Sequence, residues 1–200
     1  MIRDILYIAL GYLTGSVLFA VVFGTLICKK DITQDTADHN PGTANAYKNG
    51  GFWCGTLTLV GDLLKGFLPV YLYLRGTPSV ALALVIAAPV VGHIFSVFHN
   101  FHGGKGIATA FGCLLGLAPD WIPAVVLAAF FIFFSVAVRI YPHYYRTIFA
   151  FVCTEAALFF LPVSPRVLVG FTVICVSVCW RLHFSDEKKE PVKVVPLWKR

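Results

Sequence analysis

Seven apolar stretches punctuate the chain, at residues 5–27, 52–74, 80–98, 107–118, 121–138, 148–161 and 167–180. Most stop at a charge, a glycine or a proline, such as Cys28-Lys29-Lys30, Arg75-Gly76 and Pro119-Asp120, and the third stops at His99-Asn100. A bilayer crossing takes about 20 residues, so the pattern predicts seven transmembrane helices. The stretches at 107–118 and 148–161 are short for a full crossing. The segments between stretches alternate in character. Those after the second, fourth and sixth are brief, whereas those after the first, third and fifth are longer and more polar, the first two of these rich in Gly, Asn, His and Lys.

Composition agrees with a membrane protein. Of 200 residues, 58% are apolar and 13% charged, against roughly 25% charged in ordinary soluble domains. Mean hydropathy is +0.79. A soluble fold cannot cover its surface with so few charges, and 18 Phe, 8 Tyr and 4 Trp exclude a disordered chain. The expected architecture is an all-α polytopic helical bundle, with one membrane domain over residues 1–184 and a charged tail at 185–200. That tail reads as an interfacial segment against anionic lipid. The first stretch lacks the basic start and cleavage site of a signal peptide and reads as retained.

The net charge of +6 would suggest nucleic acid in a soluble protein; here its distribution matters more. With seven crossings, twelve of the 16 Lys and Arg fall on one side and Arg3, Arg75 and Arg166 on the other, with Lys65 inside a helix. The positive-inside rule puts the twelve in the cytoplasm, together with the C-terminus, and the N-terminus outside. The location expected is the plasma (inner) membrane. No nucleic-acid partner is implied.

The same side collects the polar chemistry. Gly103-Gly104-Lys105-Gly106 stands directly before the fourth stretch. Glycines let backbone N–H groups approach a ligand, a helix N-terminus adds unpaired donors and a positive dipole, and Lys105 adds a full charge. Together these suit an anion, commonly phosphate. An ordinary turn with an anchoring lysine has about equal claim on spacing alone. Asn40-Pro41-Gly42-Thr43-Ala44-Asn45, followed by Lys48, is a second glycine and amide loop on that side, with a plain turn as its alternative. Asp62 and Lys65, three apart on a helix, suit an ion pair that orients the helix within the bundle, with direct substrate contact as the alternative. Glu155 is a lone acid in the sixth stretch. His93, His99 and His102 match no zinc spacing; no metal is expected. The six Cys sit mostly in apolar helices and read as small buried hydrophobes.

These residues resemble a known family. Gly92-His93-Ile94-Phe95-Ser96-Val97-Phe98, then Phe101, then Gly103 through Gly112, is similar to the pattern GHxFPxFxxFxGGKGVATxxG of the bacterial acyl-phosphate:glycerol-3-phosphate acyltransferases, the PlsY type. Asp62-x-x-Lys65-Gly66-x-x-Pro69 is similar to that family's DxxKGxxP, and Gly15-Ser16 to its GS. The resemblance implies transfer of a fatty acyl group from acyl phosphate to the 1-hydroxyl of glycerol 3-phosphate, giving lysophosphatidic acid and phosphate, a step of phospholipid biosynthesis. It implies no cofactor; the partners are acyl phosphate, glycerol 3-phosphate and membrane lipid. Catalysis would rest on positioning and charge stabilisation. It casts Lys105, His183 and Lys48 as catalytic, and Gly103, Gly104, Gly106, Asn40, Gly42, Asn45, Asp38, Arg181 and His93 as phosphate or substrate ligands.

The match has departures. In the first family motif, GSGNxGATN, Asn40, Gly42 and Asn45 agree, but Asp38 stands for the serine and Lys48 for a following arginine. In the third, RYVSLAS, Arg139 agrees while Pro142 and Tyr145 fall where serines belong. Arg181 and His183 stand for RHxxN, with Ser185 or Asp186 at the asparagine. An Asp beside a phosphate repels it unless a cation intervenes, and Lys lacks the bidentate fork of Arg. A retuned site, in which His39, His143 and Arg146 replace lost contacts, is one outcome. A paralogue with another phosphorylated acceptor, or without activity, is a second. A small transporter or scaffold is a third, and polar residues gathered on one face rather than at the midplane speak against it.

Overall fold

The computed structural model describes residues 1–34, 36, 38–185 and 190–196. Each apolar stretch becomes helix. The first span is α1 (Ile2–Ser16), a break at Val17 and Leu18, then α2 (Phe19–Phe23), which runs into a wide turn over Gly24–Cys28. α3 (Thr43–Leu74), α4 (Leu82–Ile94), α5 (Ile107–Leu115), α6 (Ile122–Val136), α7 (His143–Phe160) and α8 (Pro165–His183) follow. Ile2–Cys28, Thr43–Leu74, Leu82–His99 and Pro165–His183 are each long and apolar enough to cross a bilayer; α6 is apolar but shorter.

The break in the first span leaves backbone carbonyls without helical partners, which is costly in an apolar setting. Side chains from other segments fill the gap. Lys65 Nζ donates to the Val17 carbonyl at 2.6 Å, and Ser96 Oγ to the Ser16 carbonyl at 2.6 Å.

α4 is the central helix. Val85, Ile86, Val90 and Ile94 are buried in one core with Leu114 of α5, Phe171 and Ile174 of α8, and Phe151 and Leu158 of α7. α1 presses closely on α4: a Cβ added at Gly92 would stand 2.1 Å from the Tyr12 carbonyl oxygen. Small residues at such crossings replace the hydrophobic drive that lipid removes. The outer surface carries large exposed apolar side chains, among them Leu64, Leu68, Val125 and Phe160, as a lipid-facing surface requires.

The short loops tie one end of the bundle. Arg3 donates to the carbonyls of Thr77 (2.8 Å) and Tyr73, the Tyr73 hydroxyl donates to Asp4 (2.7 Å), and Arg166 reaches the Pro78 carbonyl (3.2 Å). Glu155 on α7 finds a partner in the Thr172 hydroxyl of α8 at 2.6 Å. Asp62 and Lys65 form the expected ion pair at 2.7 Å.

Two features differ from the sequence pattern. α7 starts at His143, so Tyr144 and Arg146 are helical rather than loop, the helix beginning immediately after Pro142. Ahead of it, β1 (Val138–Tyr141) pairs antiparallel with β2 (Lys193–Pro196), with Arg139 opposite Val195. Part of the charged tail is thereby held to the connection between α6 and α7. Its residues 186–189 and 197–200, and Ala37 and Asp35, lie outside the described residues.

Candidate active site

At the end of the bundle opposite Arg3, two loops that lead into helices meet. The first runs through Asn40 to Gly42 and opens α3 at Thr43; the second runs through Gly103 to Gly106 and opens α5 at Ile107. Gly106 takes a left-handed conformation (φ 76°) that an L side chain resists, and this turn starts α5. Both helix N-termini border one cleft of about 460 Å³, walled by Leu59, Ile107, Ala108 and Phe111, with Asp38, Asn40, Thr43, Asn45, Asp62, His93, Lys105 and His143 as its polar lining.

Lys105 is nearly buried, and its Nζ lies 2.9 Å from Oδ2 of Asp38. The other carboxylate oxygen accepts from Asn45 Nδ2 (2.9 Å) and from the Asn40 N–H (3.3 Å). Asn45 Nδ2 also donates to the Asn40 carbonyl at 2.8 Å. Burial disfavours the charge on Asp38, but the hydrogen bonds from Asn45 and Lys105 outweigh it and hold the carboxyl below its ordinary pKa. The side-chain oxygen of Asn40 and the hydroxyl of Thr43 are buried beside it without a hydrogen-bond partner, a cost that a polar ligand in the cleft would remove.

Beneath the cleft lies a buried cluster. Lys65 Nζ contacts Asp62 and sits 2.7 Å from His93 Nδ1. The His93 carbonyl accepts the Gly104 N–H at 3.1 Å. Its ring packs so closely on the loop that a Cβ at Gly104 would come within 2.2 Å of Nε2. Arg181 braces the loop from α8: Nε and Nη2 donate to the Gly103 carbonyl at 3.3 and 3.0 Å. The Gly-Gly-Lys-Gly loop is therefore gripped at Gly103, Gly104 and Lys105.

A family model for glycerol-3-phosphate acyltransferase matches residues 5–188. The chain belongs to the glycerol-3-phosphate acyltransferase family. A member from Endomicrobium trichonymphae is 33% identical over 193 residues, covering 94% of this chain and 92% of its own. One from Cupriavidus taiwanensis is 40% identical over 147 residues, 67% of this chain and 71% of its own. The fold is similar to the crystal structure of PlsY, an integral membrane glycerol 3-phosphate acyltransferase. In its glycerol 3-phosphate form the TM-score is 0.77, with 28% identity over 90% of this chain and 88% of that one. In its lysophosphatidic acid form it is 0.74, with 28% identity over 89% and 87%.

Of the residues singled out in the sequence, Asp38, Asn40, Gly42, Asn45, His93, Lys105 and Gly106 line this cleft. Gly103, Gly104 and Arg181 shape its floor from behind. Lys48 and His183 are not among the lining side chains: Lys48 is exposed on the first turns of α3, and His183, the last residue of α8, is exposed with its ring edge-on to Phe184 at 4.9 Å. His143 lines the cleft and accepts from Arg146 Nη2 at 2.7 Å. Phe111 and Leu59 went unmarked in the sequence, because an apolar residue in a span carries no local sign that it borders a site.

Proposed function

We propose that this chain transfers a fatty acyl group from acyl phosphate to the 1-hydroxyl of glycerol 3-phosphate, giving lysophosphatidic acid and inorganic phosphate. One observation carries the reading: a glycine and asparagine loop and a glycine and lysine loop, each opening a helix, converge on a single cleft with Lys105 in it. Both substrates bear phosphate, and helix N-termini with a lysine are built for phosphate. Phe111, Leu59 and Ile107 supply an apolar wall suited to an acyl chain.

In the reaction, the acceptor hydroxyl oxygen bonds to the acyl carbon while the bond from that carbon to the phosphate oxygen breaks. The hydroxyl proton leaves with the phosphate. The mixed anhydride is already activated, so no protein nucleophile is required. Lys105 and the loop amides stabilise charge developing on the departing phosphate. Asn40, Asn45 and His93 orient the substrates, and Arg181 holds the glycine loop in register.

The same reading sets the orientation: seven crossings, N-terminus outside, and the cleft and residues 185–200 on the cytoplasmic side of the plasma membrane. The charge bias of the loops supports it. The decisive experiment is phosphate release by purified protein supplied with acyl phosphate and glycerol 3-phosphate. Release that depends on both substrates and on Lys105 is expected; no release, or release that persists in Lys105→Ala, would overturn the assignment.

A further inference from the structure

We infer that the Asp38 carboxylate is an internal occupant of the anion cradle, a specificity-determining group that an incoming phosphate must displace from Lys105. This deepens the reading of the cleft as a phosphate site and rests on it.

The donors that hold Asp38 are of the kinds an incoming phosphate needs. They are an ammonium at 2.9 Å, a side-chain amide at 2.9 Å and a backbone N–H at 3.3 Å, from Lys105, Asn45 and Asn40. All three residues, and Asp38 itself, line the same cleft. Its other acid, Asp62, is engaged by Lys65 at 2.7 Å and does not compete for Lys105. A phosphate and the Asp38 carboxylate cannot share these donors without two like charges facing each other at close range. Binding is therefore an exchange. A ligand enters only if its interactions with Lys105 and the amides exceed those of a carboxylate already tethered in place.

The exchange sorts ligands by class. A phosphate monoester dianion brings greater charge and three acceptor oxygens, and so gains more from charge-assisted donors. A monocarboxylate brings the same charge as Asp38 without the tether, and loses. The cradle thus selects dianionic phosphates against carboxylate metabolites, at the cost of weaker phosphate affinity than the bare donors would give.

The test uses the purified protein in detergent with inorganic phosphate and acetate as probes, followed by titration calorimetry, alongside the acyl-transfer assay. Asp38→Asn keeps the shape and removes the charge; Asp38→Glu keeps the charge. Asp38→Asn is expected to bind phosphate roughly tenfold or more tightly, the worth of one charge-assisted hydrogen bond, and to acquire measurable acetate binding. Asp38→Glu is expected to stay near wild type. Phosphate binding that is unchanged or weaker in a folded Asp38→Asn protein would overturn the inference. Should that variant fail to fold by size exclusion and thermal unfolding, Asp38→Ser gives the same reading. Tighter phosphate in a protein that transfers no acyl group would keep this inference and sink the proposed reaction. Intact transfer with unaltered phosphate affinity would do the reverse.

Discussion

The ammonium of Lys65 lies 2.7 Å from Nδ1 of His93. Its other partners are the Asp62 carboxylate and the Val17 carbonyl, so its three protons are all directed at acceptors. His93 Nδ1 is then an acceptor, and the ring proton sits on Nε2, beside Gly104. The tautomer of a histidine lining the cleft is thus set by a residue on another helix. Replacing Lys65 by Met should leave Asp62 buried and uncompensated and cost about 3–5 kcal/mol. Thermal unfolding in detergent would register it as a large fall in midpoint; a variant as stable as wild type would refute the pairing.

Gly104 and Gly51 make a controlled comparison. An alanine methyl at Gly104 would collide with the His93 ring, at 2.2 Å from Nε2, while at Gly51 nothing lies within 4 Å although φ is 79°. Gly104→Ala should displace loop or ring and remove most transfer activity. Gly51→Ala should cost about 1–3 kcal/mol of stability through backbone strain with turnover largely kept. Paired activity and unfolding measurements separate the two outcomes.

Removing Lys105 takes away both a phosphate donor and the partner of Asp38. Lys105→Ala should lower kcat/KM for acyl transfer by at least about 100-fold, the scale for losing one preorganised charge-stabilising donor. Lys105→Arg, which keeps the charge on a bulkier fork, should fall between. Activity of the Ala variant within a few fold of wild type would contradict the role.

Acid should act on the same pair. Asn45 and Lys105 hold the Asp38 carboxyl below its ordinary value of 3.8 in the folded protein, so its contribution to stability is fully present above that value and fades as pH drops through the lower folded one. The gap in unfolding midpoint between wild type and Asp38→Asn should be flat from neutrality down to about pH 4 and close below it. Melting curves across that range check the sign; a gap that widened in acid would be inconsistent with the ion pair.

Much of this arrangement could be read from the chain, and the exceptions have physical causes. All seven apolar stretches are helical, because a run of Leu, Val, Ile and Phe in lipid must satisfy its own backbone. The loops before α3 and α5 stood out by Gly, Asn and Lys in places where hydrophobic residues dominate. The β1–β2 ribbon did not, since four residues such as Val138–Tyr141 carry too little pattern to tell strand from helix end. Nor did the pairing of Asp38 with Lys105. Taken singly, Lys105 suits a phosphate and Asp38 repels one unless a cation intervenes; only the folded chain shows that Lys105 is that cation. The resemblance casts Arg181 as a phosphate ligand; in the fold its guanidinium donates to the Gly103 carbonyl.

The interruption at Val17 and Leu18 bears on how the protein is made. Its two exposed carbonyls are closed by Ser96 and by Lys65, groups that leave the ribosome long after the first span has entered the membrane. Until they arrive, that span carries an unfinished backbone in hydrocarbon. The span is apolar enough to enter the membrane, but its broken form matures only once α3 and the segment beyond α4 have arrived. Truncations ending before Ser96 should yield a first span that is slow to leave the translocation machinery and readily degraded, although every residue of that span is present.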